Sequence, residues 1–90
     1  MKFETKLYQT CGVNAASEAD SGFAGEVQTA IDKYLKGDWG DLEECDKQSN
    51  REALEDGSRI FAMYKTSKGK VYIITEIDRS ITTVLFASEY

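Results

Sequence analysis

Ninety residues with 41% hydrophobic and 30% charged side chains are enough for one small core and little buried cavity. Eleven basic residues stand against sixteen acidic ones, a net charge of −5, which points away from nucleic acid and toward basic partners. There is no histidine, so most nucleophilic and acid–base catalysis loses its usual base. No apolar run is long enough to cross a bilayer, and the N-terminus enters an alternating segment without a leader-like apolar stretch. The expectation is one soluble, cytoplasmic domain over 1–90.

Residues 2–10 alternate: Phe3, Thr5 and Leu7 point one way, and Lys2, Glu4, Lys6 and Tyr8 the other. That is a half-buried strand. Gly12 breaks it, and residues 13–20 favour a short helical turn capped by Asn14 or Ser17. Asp20 or Ser21 caps the clearest helix. Phe23, Val27, Ala30, Ile31, Tyr34 and Leu35 form one stripe at a 3.6-residue period. Gly37 is its left-handed stop.

Gly37-Asp-Trp-Gly-Asp reads as a turn, and Asp41-Leu-Glu-Glu44 as an acidic capping box. A second helix over about 42–56 has only Leu42, Cys45, Ala53 and Leu54 as apolar residues, which places it on the surface. Asn50 is a candidate for recapping it midway. Gly57 ends it.

The last third reads as three strands, 59–66, 70–77 and 81–87, rich in Ile, Val, Phe, Tyr and Thr. Ser67-Lys-Gly69 and Asp78-Arg-Ser80 supply tight turns. The middle run is apolar on both faces and reads as a central strand. The expected fold is α+β, in the order β-α-α-β-β-β: an antiparallel four-stranded sheet with two helices packed on one face.

Charge is not spread evenly. Between Asp38 and Asp56 lie eight acids and two bases, a formal charge of −6, so this one segment accounts for the whole net charge. The acids are Asp38, Asp41, Glu43, Glu44, Asp46, Glu52, Glu55 and Asp56. Trp39, the single tryptophan, sits among them. It either plugs the core where the helices meet or stands exposed as an aromatic anchor rimmed with acid. On the second option, Trp39, Asp41, Glu43, Glu44 and Asp46 form a partner-binding surface for a basic protein. Glu76, Asp78 and Arg79 form a secondary polar cluster, where Arg79 pairs with an acid or a helix end. Lys65, Lys68 and Lys70 surround the first hairpin turn and read as solvated.

The Ca²⁺-loop pattern is absent, and four acids at a helix start more often satisfy its dipole than hold a cation, so no metal or cofactor is expected. A metal-dependent enzyme would need at least three of Asp38, Asp41, Glu44 and Glu76 to converge. Cys11 and Cys45 are expected to be free thiols, reduced and at least partly buried.

Two stretches add a resemblance. Gly37-Asp-Trp-Gly-Asp-Leu and Ile74-Thr-Glu-Ile-Asp-Arg-Ser-Ile-Thr-Thr-Val-Leu-Phe, with Gly57-Ser-Arg-Ile between them, resemble a family of small bacterial proteins. Its members are encoded on plasmids, phages and integrated mobile elements. They are usually labelled plasmid-related or hypothetical, and some carry a restriction–modification subunit label. Relatives often have proline where this chain has Ala87. The resemblance covers nearly the whole chain and implies a mobile-element setting, without an activity to carry over. The element order also looks like the RelE/ParE toxin topology at fold level. Ribosome-dependent RNases of that type use a basic surface, whereas this chain is acidic.

The function these readings favour is a non-enzymatic, protein-binding accessory of a mobile element. It would engage a basic partner surface, such as that of a host-defence or nucleic-acid-binding protein. It would make no direct nucleic-acid or membrane contact. The alternatives are a small structural domain that dimerises through a free edge at the first or last strand, and the metal-dependent enzyme.

Overall fold

The computed structural model describes residues 6–40, 44–77 and 79–90. The fold is α+β. Strand β1 (Lys6–Gln9) leads into α1 (Cys11–Ala19) and α2 (Ser21–Leu35), followed by α3 (Glu44–Asp56). Strands β2 (Ile60–Thr66), β3 (Gly69–Thr75) and β4 (Ile81–Phe86) then form a meander that closes with a 3-10 turn at Ala87–Glu89.

The sheet order is β1-β4-β3-β2. β2 with β3 and β3 with β4 are antiparallel, but β1 pairs parallel to β4, with Lys6 opposite Ile81 and Gln9 opposite Val84. The sheet is therefore mixed, which corrects the antiparallel expectation. It also puts β4 inside the sheet and leaves β1 and β2 as its edges. Alternation assigns the faces of a strand but not its direction. Thr10 ends the pairing and starts the next helix: its N–H donates to Val84 O while its hydroxyl caps α1 by accepting from Val13 N. The chain must turn back over the sheet at once, and α1 is a full helix rather than a short turn.

The apolar stripe of α2 is buried as its spacing predicts: Phe23, Val27, Ala30, Ile31 and Tyr34 are all in the core, with Leu35 exposed at the helix end. Asp20 caps this helix, accepting from Gly22 N and Phe23 N at 2.9 and 3.2 Å. Those two bonds, with Lys68 beside it, hold the carboxyl below its ordinary range. Beneath α1 and α2 lie Ile60, Ala62, Tyr64, Val71, Ile73 and Val84, and Phe23 stacks on Phe86 at 5.6 Å.

α3 follows different rules. It is one continuous helix, and Asn50 does not split it. Only Asn50 and Ala53 are buried, so an apolar stripe does not hold it. Instead, the Asn50 carboxamide meets the outer backbone of edge strand β2, donating to Phe61 O at 2.5 Å and accepting from Phe61 N at 3.1 Å. One side chain thus replaces two ladder bonds of a missing neighbour strand. Residues Asp41 to Glu43, where the acidic capping box was expected, lie outside the described residues.

Replacing Asn50 with alanine should strand both Phe61 backbone groups at a part-buried edge. The expected loss is about 2 kcal/mol, or roughly 10 °C in Tm for a domain of this size. Thermal and urea unfolding of Asn50→Ala would check it; an unchanged midpoint would show that the clip contributes nothing.

Candidate functional site

The loop after α2 is built by a helix stop. Gly37 takes φ 84°. Its N–H donates to Tyr34 O, and Asp38 N donates to Lys33 O, the paired bonds of a Schellman end. The chain then turns inward. The Asp38 carboxylate accepts from Gly40 N at 3.1 Å, and Tyr64 Oη donates to Asp38 O at 2.5 Å. Gly40, at φ 73°, forms a parallel bridge with Met63, and a Cβ there would sit 2.3 Å from Met63 O. Only glycine permits that approach.

This geometry drives Trp39 into the core at 6% exposure. It therefore does not stand out as an anchor, and a partner-binding role for its ring on the folded surface is corrected. Its indole N–H has no hydrogen-bond partner among the described residues. Of the other expected partner-binding residues, Glu44 and Asp46 are exposed on the first turn of α3. Asp41 and Glu43 lie outside the described residues. Glu44 accepts from Arg51 at 3.0 Å, an exposed pair of small energetic weight. Glu52, Glu55 and Asp56 continue the exposed acids along the same helix, and Leu54 is 41% exposed among them.

Two residues of the secondary cluster, Glu76 and Arg79, are described. Arg79 reaches the C-terminal end of α3, donating to Ala53 O at 2.8 Å and to Ser58 O at 2.7 Å. A guanidinium there adds a second donor to Ala53 O, which also accepts from Gly57 N, and suits the helix dipole. Its backbone takes φ 65°, which costs a non-glycine residue about 1–2 kcal/mol. Glu76 makes a loose 3.6 Å pair with Arg59. Asp78 lies outside the described residues. Asp38 and Glu76 sit near opposite ends of β2, beside Tyr64 and Arg59, roughly 15 Å of strand apart. Among the described residues no three acids or cysteines are grouped to hold a metal ion. Cys11 and Cys45 are unpaired and both exposed, which corrects the expectation of buried thiols.

Three arrangements were not legible in the sequence. The first is a buried hydroxyl chain. Tyr34 Oη lies 2.5 Å from Thr75 Oγ1, which lies 2.8 Å from Thr82 Oγ1, all within the core. The second is an open groove of about 660 Å³ between α2 and β2, lined by Gly22, Gly25, Thr29, Lys33 and Thr66 among others. One wall is tied by Glu26, which accepts from Ser67 N and Ser67 Oγ, and by Lys68, 3.5 Å from Asp20. Lys68 is thus paired rather than simply solvated. The third is the sheet face opposite α1 and α2, where Phe61, Tyr72 and Tyr90 pack edge to face at 4.7–6.2 Å.

No family model, characterised protein or solved structure matches this chain. No helix among the described residues is long and apolar enough to cross a membrane.

Two predictions follow from the buried groups. Trp39 emission in the native protein should be blue-shifted and poorly quenched by iodide, both reverting in denaturant; strong native quenching would mean that the ring is exposed. Burial pushes the Tyr34 hydroxyl up to about 12 from its ordinary 10.0, against the opposing pulls of Thr75 and Arg79. With the folded value above the unfolded one, this stabilisation is complete below pH 10 and is lost as pH rises toward 12. Tyr34→Phe should flatten that part of the alkaline stability profile, measured by urea unfolding between pH 9 and pH 11. An identical slope in both proteins would assign the loss to other groups.

Proposed function

We propose that this protein is a non-enzymatic binding protein that offers α3 as an acidic surface to a basic partner protein. The observation that carries the reading is how α3 is attached. A carboxamide clip, one alanine and Arg79 hold it to β2 and the following turn. Most of its other side chains are exposed. That surface carries Glu44, Asp46, Glu52, Glu55 and Asp56 against Lys47 and Arg51. Exposed Leu54 adds an apolar contact among the charges. A field of this kind raises the encounter rate with a basic surface and disfavours acidic ones.

In the mobile-element setting that the sequence resembles, the target would be a host-defence or nucleic-acid-binding protein whose basic surface α3 occupies. A second reading, a homodimer through a sheet edge, draws on β1, whose four residues are all exposed and which, among the described residues, has a neighbour strand on one side only.

The test is capture from bacterial lysate at low and high salt, with the wild type beside an Asp46→Ser, Glu52→Ser, Glu55→Ser variant. A partner retained by the wild type at low salt, released at high salt and lost by the variant is the expected result. Equal capture by both proteins would rule out α3. A concentration-dependent dimer with no captured partner would favour the β1 edge.

A further inference from the structure

The net charge of the chain conceals an uneven surface. Strand alternation and register assign the side chains of the sheet face opposite α1 and α2. Across one end run Lys6, Ile81, Glu76 and Arg59. The next row is Tyr8, Thr83, Ile74 and Phe61, and the one after it is Leu85, Tyr72 and Met63. At the far end Lys70 stands opposite Lys65. Ile74 and Leu85 are buried yet lie outside the core cluster beneath the helices, which agrees with this assignment. Among the described residues no α-helix packs on this face; the 3-10 turn and Tyr90 reach it, with Tyr90 68% exposed over Phe61 and Tyr72.

The result is an aromatic and aliphatic band between two charged ends. Among the described residues those ends hold Lys6, Arg59, Lys65 and Lys70 against Glu76, so their sign is opposite to that of α3 on a protein of charge −5. Positive ends discourage two copies from packing face to face, because like charges would meet. They suit a polyanion, and the rings between them suit planar bases: Tyr8 is 49% exposed, and Tyr90 more so. A cationic border around stacking rings on a sheet is how single strands are held without sequence readout.

We propose that this face binds single-stranded nucleic acid, the bases stacking on Tyr8, Tyr72 and Tyr90 and the phosphates meeting Lys6 and Lys70. The site does not involve α3, so its failure would leave the acidic-surface reading untouched. It replaces the expectation of no direct nucleic-acid contact, which rested on the charge of the whole chain.

The probe is a fluorescein-labelled oligo(dT) or oligo(U) of about 15 nucleotides, long enough for one such platform. Fluorescence anisotropy would be read over a salt series, with a duplex of equal length as the comparison. The expected result is single-strand binding at low salt that weakens as salt rises, with a log–log slope of about −0.7 per phosphate contacted. Tyr72→Leu, which keeps the apolar volume, and Tyr90→Ala should each weaken binding about tenfold. Lys70→Ala should reduce the slope by about 0.7. Glu18→Gln on α1, an exposed acid remote from this face, should change neither. Circular dichroism would establish that each variant is folded. No binding by folded wild type at low salt would overturn the proposal. So would duplex binding as tight as single-strand binding, or folded Tyr72→Leu and Tyr90→Ala variants that bind as the wild type does. A dimer in sedimentation that Tyr8→Lys dissociates would assign the face to a second copy instead.

Discussion

The structure depends on how the open edge of β2 is satisfied. An edge strand presents backbone donors and acceptors that need partners or water. Here Asn50 completes Phe61, and Gly40 bridges to Met63. These two contacts fix where α3 lies and where the loop after α2 must pass, and that loop in turn delivers Trp39 to the core. Because hydrogen bonds do much of the work of attachment, α3 needs no apolar stripe. The acids that could not have been accommodated on a packed helix accumulate there at little cost to folding.

The opposite end of α3 shows the same economy of apolar contact. Arg79 spans from the β3–β4 turn to Ala53 O in the last turn of the helix and Ser58 O just beyond it, joining two turns that are distant in sequence. The turn holds a non-glycine residue at positive φ, and the two guanidinium bonds offset that strain. Under α2, the hydroxyls of Tyr34, Thr75 and Thr82 satisfy one another, so polar atoms run through the core without reaching water. Replacing Thr75 alone would take that partner from the tyrosine hydroxyl, which costs more than removing both members of such a pair.

Much of the fold was legible because local chemistry specified it. The α2 stripe, the Asp20 cap and the stop at Gly37 each depend on neighbours within a few residues. The hairpin at Gly69 and the central place of β3 were equally clear from composition. The parallel pairing of β1 was not, since its partner lies at the far end of the chain and its alternation is the same in either direction. Asn50 was misjudged because a mid-helix asparagine ordinarily interrupts a helix. Its use as a surrogate strand requires knowing which edge it faces. The acids of α3 were visible as a run, and their exposure follows from the scarcity of apolar residues around them. The basic, aromatic sheet face was invisible to a charge count, because Lys6, Arg59 and Lys70 are scattered in sequence and brought together only by register.

The parallel pairing of β1 with β4 also sets an order of events in biosynthesis. β1 is translated before α1 through β3, yet among the described residues its neighbour in the sheet is β4, which is translated after all of them. Phe23 on α2 likewise waits for Phe86. Until β4 emerges, the nascent chain must hold an unpaired strand and an uncovered aromatic surface, while the β2–β3 hairpin can already close through its local turn. The loop between β1 and β4 is nearly as long as the chain, so its closure is the entropically expensive step of folding. β1 and the Phe23 face of α2 thus stay open to chaperones and to misassociation with other nascent chains while the elements between them and β4 are made.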